Sequence, residues 1–124
     1  MIGYTTVGTD DLETSAAFYD PLLALLGATR CMQAEDFIAW GTDPQSPMFS
    51  IHLPADGASA SVGNGVMIAL RASDVEQVQA MHNKALQLGA KEEGLPGARG
   101  DSGFYAGYFR DLDGNKLNVH CMSS

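Results

Sequence analysis

The chain has 124 residues, 45% of them apolar and 18% charged, with a formal net charge of −8. That composition predicts a globular chain with a real core, not a disordered one. It carries too few Lys and Arg to cover nucleic-acid phosphates or an anionic membrane surface, and no apolar run approaches the roughly 18–20 residues of a membrane span, so neither partner is expected.

The negative charge tolerates a cationic ligand, but its plain reading is solubility. Cys31 and Cys121 form neither a CxxC pair nor a zinc-type cluster. No basic segment followed by an apolar stretch opens the chain. A cytoplasmic location with reduced thiols is the expectation.

In chain order, the β-prone run Tyr4-Thr5-Thr6-Val7 comes first. Asp10 or Asp11 then caps a helix in which Leu12, Ala16, Tyr19, Leu22 and Leu23 recur at helical spacing. Pro21 should kink that helix near residues 17–20, and Gly27 should end it. Strands are expected over 29–34, 37–41 and 48–53. The stretch PADGASASVGNG, 54–65, has no periodicity and reads as a linker. A second β-prone run covers 66–70. Ser73 or Asp74 caps a second helix carrying Val75, Val78, Met81, Ala85 and Leu88, with His82 on its surface and Gly89 as its stop. Strands are expected at about 91–93, 104–110 and 116–121. EGLPGARGDSG, 93–103, reads as a mobile loop near a site. Asp113-Gly114-Asn115 supplies left-handed backbone angles for the last hairpin, with Asp111 and Asp113 as turn chemistry.

The two halves repeat. At an offset of 63, Asp11-Leu12-Glu13 falls on Asp74-Val75-Glu76 and Ala17 on Ala80; after a one-residue gap Gly27-Ala28 matches Gly89-Ala90. The chain therefore reads as one domain, 1–124, built as βαβββ twice. The modules are about 1–54 and 65–124, joined by 55–64.

That repeat, with DLETSAAFYDPLLALLG near the start and FRDLDGN near the end, resembles the glyoxalase / bleomycin-resistance / extradiol-dioxygenase group, the vicinal oxygen chelate superfamily. The resemblance implies an α+β fold whose curled mixed sheets surround a shared cavity, a small-molecule site in that cavity, and a homodimer. It selects no reaction, because fold does not dictate chemistry. Metal-using members place one ligand on the first strand of each module and one on the last. Those positions fall here on Tyr4 and Met67, which the repeat offset also pairs, and on Ser50 and Asn118, by matching FSIHLP to LNVHCM. The usual His, Glu or Gln is missing at all four. A thioether, a neutral phenol, a hydroxyl and an amide make a poor cage for a divalent cation, so no metal or other cofactor is expected.

Strand alternation adds Thr6, Ala69, His52 and His120 to the same faces. The two histidines are either an acid/base or ligand-orienting pair, or merely half-exposed strand-end residues. Tyr4 is either a hydrogen-bonding phenol or a space filler. Met67 reads as cavity packing. Trp40, mid-strand, walls either the cavity or the core. The candidate ligand-binding set is thus Tyr4, Thr6, Trp40, Ser50, His52, Met67, Asn118 and His120, suited to a neutral or cationic ligand of mixed polarity. The expected function is metal-free small-molecule binding. The alternatives are a lyase or dioxygenase-type enzyme with a relocated metal or metal-free acid/base chemistry, and a non-catalytic structural or dimerisation paralogue.

Overall fold

The computed structural model describes residues 1–123. The chain divides into two compact units, one spanning Met1–Val62 and a second from Gly63 onward. The division falls inside the segment read as a linker.

The first unit runs β1 (Tyr4–Gly8), α1 (Leu12–Ala24), β2 (Thr29–Gln33), β3 (Phe37–Gly41) and β4 (Met48–His52). Its sheet has the order β1-β4-β3-β2, with β1 parallel to β4 and the other pairs antiparallel. The second unit repeats this with β5 (Ile68–Arg71), α2 (Val75–Gln87), β6 (Lys91–Ala98), β7 (Phe104–Arg110) and β8 (Lys116–Met122), in the order β5-β8-β7-β6. The fold is α+β, two βαβββ modules with mixed sheets.

Both helices start and stop by the same devices. Asp11 accepts from the Thr14 N–H at 3.1 Å and Asp74 from the Gln77 N–H at 2.8 Å, each filling one orphan donor of the first turn. At the other ends Gly27 (φ 79°) and Gly89 (φ 106°) take the left-handed conformation. The following residues fold back, Ala28 N–H to Leu23 O and Ala90 N–H to Ala85 O. The helix α1 continues through Pro21 to Ala24.

Each helix covers one face of its own sheet. From α1, Ala16, Phe18, Tyr19, Leu22 and Leu23 are buried; Tyr19 meets Trp40 at 5.8 Å and Phe49 at 4.8 Å between ring centroids. From α2, Val78, Met81, His82 and Ala85 are buried. His82 is therefore not the surface residue expected of it. It is 3% exposed and lies over Gly107, where an added Cβ would stand 2.9 Å from the imidazole Cδ2. Its Nε2–H donates to Tyr108 O at 3.1 Å, since a carbonyl can only accept. The bare glycine makes room for the ring, and the carbonyl satisfies its proton.

Two further expectations change. Residues 93–98 belong to β6 instead of a loop, and only 99–103 turn. The strand absorbs Gly94, Pro96 and Gly97 through register shifts, and as the edge of its sheet it can carry a proline with no N–H to share. In the last hairpin only Gly114 (φ 87°) is left-handed; Asn115 is not. The turn is held instead by the Asp111 carboxylate, which accepts from the N–H of Asp113 and of Asn115 and from the Asn115 amide.

Candidate ligand faces on the two sheets

The face of each sheet turned away from its helix is where the candidate residues collect. Alternation sets this. Along β4, Phe49 and Ile51 pack toward α1, which sends Met48, Ser50 and His52 to the open face. Tyr4 and Thr6 lie beside them, in register with Met48 and Ser50.

Tyr4, Ser50 and His52 line one hollow of about 190 Å³ together with Met32, Phe37, Ala39 and Met48. Its wall is mostly apolar with a few polar groups, the usual make-up of a small-molecule pocket. Tyr4 is its most exposed residue, at 63%, followed by Met32 at 50%. The Ser50 hydroxyl is buried and donates to Thr5 O at 2.9 Å. His52 stacks on Phe37 (5.7 Å, 11°) and its Nδ1–H donates to Leu53 O at 2.6 Å. That leaves Nε2 as the atom available for other chemistry, 3.7 Å from Asp36 Oδ2. Thr6 lies outside this hollow, on a shallower one shared with His52 and the 53–61 segment. A larger hollow of about 500 Å³ sits over the 41–48 turn. Its Ser46 and Asp43 side chains are committed to each other at 2.8 Å, and its exposed Cys31 thiol lies 3.3 Å from Met48 Sδ and 3.6 Å from Ala39 O.

Trp40 does not join the site. It is 1% exposed on the helix face, and its Nε1–H donates to Asp20 Oδ1 at 2.8 Å. Asp20 also takes two hydrogen bonds from Arg30, at 3.0 and 2.7 Å. Arg30 first, and Trp40 after it, hold the Asp20 carboxyl below the ordinary aspartate range. Trp40 alternates with Phe37 and Ala39 along β3, and the indole N–H finds its acceptor on α1, which fixes the side it packs on.

On the second sheet, Leu117, Val119 and Cys121 are buried toward α2. Asn118 and His120 take the open face, with Ala69 opposite Asn118 and Arg71 opposite His120. Met67, one residue before β5, is half-exposed at the start of the same row. Asn118 is buried, and its Oδ1 accepts from His120 Nδ1 at 3.0 Å. Phe104 stacks on the His120 ring (5.4 Å, 26°). Burial first, and then the positive charge of Arg71, hold the His120 imidazole below its ordinary value of 6.5. Among the described residues no buried side-chain nitrogen or oxygen lacks a hydrogen-bond partner.

The sequence reading missed Phe37, Phe104, Tyr108 and Arg71 on these faces. Arg71 was within reach of it: Met67, Ala69 and Arg71 form one alternating row, but the expected run stopped at residue 70 and the strand continues to Arg71.

The four positions where a metal site would be expected hold Tyr4, Ser50, Met67 and Asn118, none of them a charged or imidazole donor. Ser50 and Asn118 already have protein partners. Among the described residues no group of three or more His, Cys, Asp or Glu side chains is disposed to hold a metal ion. These residues do not fit a divalent cation of the oxygen/nitrogen-caged kind.

The profile of the Glyoxalase/Bleomycin resistance protein/Dioxygenase superfamily matches residues 1–119, and the chain belongs to that family. A crystal structure of a glyoxalase/bleomycin resistance protein from Albidiferax ferrireducens T118 is 33% identical over 98% of each chain, with a TM-score of 0.89. A glyoxalase-related enzyme from Fulvimarina pelagi (18% identity, 98% of this chain and 87% of that one, TM-score 0.75) shares the fold. So does a lactoylglutathione lyase from Agrobacterium tumefaciens (21%, 98% and 92%, 0.69). No curated protein matches the chain significantly. Among the described residues no helix is long and apolar enough to cross a membrane.

Proposed function

We propose that this chain is a metal-free binding member of its superfamily, which holds a small organic molecule against the open face of a sheet. The observation that carries this is the donor set: Tyr4, Ser50, Met67 and Asn118 are neutral, and two of them are already hydrogen-bonded within the protein. Such groups orient a ligand but do not offset the charge of a divalent cation. Tyr4 and His52, on the wall of the first-sheet hollow, supply the hydrogen bonds there; Asn118 and His120 supply them on the second sheet.

The test is a thermal-shift screen against small organic molecules, since a ligand at 100 times its Kd adds about 2.7 kcal/mol to stability. Affinity for any hit is then measured in wild type, Tyr4→Phe and Asn118→Leu. Loss of about tenfold in either variant supports the reading; equal affinities in all three overturn it. Calorimetric titration with nickel, zinc, manganese and ferrous iron should be flat. A site tighter than about micromolar, roughly −8 kcal/mol, that vanishes in Asn118→Leu would overturn the metal-free half.

The position of His52 favours one second reading, acid/base catalysis. Its Nδ1–H is tied to Leu53 O, and Nε2 lies beside Asp36 on the wall of the hollow. Turnover of a screened ligand that is abolished in His52→Gln would select it.

A further inference from the structure

Five of the seven lysines and arginines of this acidic chain belong to one region, the open face of the second sheet and the turn that follows β6. Arg71 stands on β5 opposite His120, and Lys91, Arg110 and Lys116 face one another across β6, β7 and β8. Arg99, in the turn after β6, lays its guanidinium over the Tyr108 ring at 5.4 Å. The Lys116 ammonium lies over the same ring, also at 5.4 Å. Arg110 holds the Glu93 carboxylate at 2.9 Å, and Lys91 and Lys116 also act on it. Arg99 is tethered by backbone carbonyls, donating to Leu95 O and Gly97 O at 2.8 Å each. Arg71 has no carboxylate partner among the described residues. Opposite it on β8 stands His120, stacked with Phe104.

We propose that this face binds an aromatic carboxylate, with the Arg71 fork taking the carboxylate and the Phe104–His120 surface taking the ring. Arg71 brings a positive charge with no carboxylate partner to the His120 end of this face, and an incoming carboxylate supplies that counter-charge. A guanidinium matches a carboxylate with two parallel N–H donors, which a lysine cannot do. The adjoining aromatic surface rewards an organic anion over a bare one. The proposal rests on the reading that an open face holds a ligand, and it narrows the ligand's charge. The sequence expectation of a neutral or cationic ligand had left Arg71 and its neighbours out.

The experiment is titration of the whole protein with benzoate at low salt, followed by calorimetry and by the His120 imidazole signals. Benzamide and inorganic phosphate serve as comparison probes. Saturable benzoate binding is expected, weakened about fivefold or more by Arg71→Gln, as for loss of a partly exposed charge pair. Lys84→Gln, the same charge change on α2, should leave it unaltered, and Arg71→Lys should fall between. Benzamide should bind at least about fivefold more weakly than benzoate, since it lacks the charge. Absence of saturation overturns the proposal. So does an equal loss in Lys84→Gln, equal binding of benzamide, or phosphate binding as tight as benzoate. If benzoate fails while the thermal-shift screen finds a neutral ligand sensitive to Tyr4→Phe, the anion inference falls alone.

Discussion

The two modules share a topology and differ in what they do with it. Because β1 and β5 repeat at an offset of 63 and β4 and β8 at 68, the pairing registers show which residues are equivalent. Gly8 faces His52 in the first module; Arg71 faces His120 in the second. The first unit has one arginine against eight Asp and Glu, whereas the second has six Lys and Arg against seven. His52 accordingly has a carboxylate at 3.7 Å, and His120 has a guanidinium in electrostatic reach. The same strand skeleton thus presents a histidine beside negative charge in one copy and beside positive charge in the other. Duplication preserved the backbone pairing, which needs only N–H and C=O groups. It left the open-face side chains free to diverge, since packing against the helix does not constrain them.

The helix faces diverged too, but in compensating pairs. Tyr19 and Ile38 of the first module correspond to His82 and Gly107 of the second: both of the first pair are large and buried, whereas in the second a smaller ring is pressed onto bare backbone. Trp40 corresponds to Phe109. Only the indole carries an N–H, and only the first module supplies the Asp20–Arg30 pair to receive it.

The sharpest break of this comparison is Trp40→Ala. If Trp40 is a core residue, removal of the buried ring should cost about 3–5 kcal/mol in urea denaturation while leaving the open-face hollow in place. A loss below about 1 kcal/mol combined with altered ligand binding would return it to the site.

Gly107→Ala tests the second pair. The new methyl would stand against the His82 ring, so a loss of about 1–3 kcal/mol is expected, partly recovered in the double variant with His82→Ala. Strict additivity would show that His82 does not set the limit.

The smallest effect is a pH dependence, and it separates the two histidines. The folded His120 titrates below its ordinary 6.5, so in that window the unfolded chain binds more proton. Stability should therefore fall as pH drops below 6.5 and through the folded value. His120→Gln should flatten that slope. Arg71→Gln should move the imidazole only part of the way back, because burial is the larger cause. NMR titration of the ring checks this, and an unchanged titration in Arg71→Gln would remove Arg71 from the account.

The sequence by itself determined the repeat, the order of elements, each helix cap to within two neighbouring residues, and which side chains share a face along β1 and β4. These depend on neighbours a few residues apart: alternation for strands, spacing for helices, Asp at the start and Gly at the stop. Alternation put His52 on the same face as Ser50 and His120 on the same face as Asn118, and the family resemblance pointed those faces at the ligand. Three things waited for the tertiary structure. Trp40 could not be assigned a side until the acceptor for its N–H appeared on α1, twenty residues earlier in the chain. His82 looked like a surface residue until the glycine beneath it, on a strand from another part of the module, opened a place for its ring. The sharing of one face by these cations needed β5, β6, β7 and β8 laid side by side: Lys91 meets Arg110 and Lys116 through the β6–β7 and β7–β8 pairings, and Arg71 reaches the same face only by pairing with His120. Local rules fix which way a side chain points along its own strand; what it then meets is settled by which other strand lies next to it.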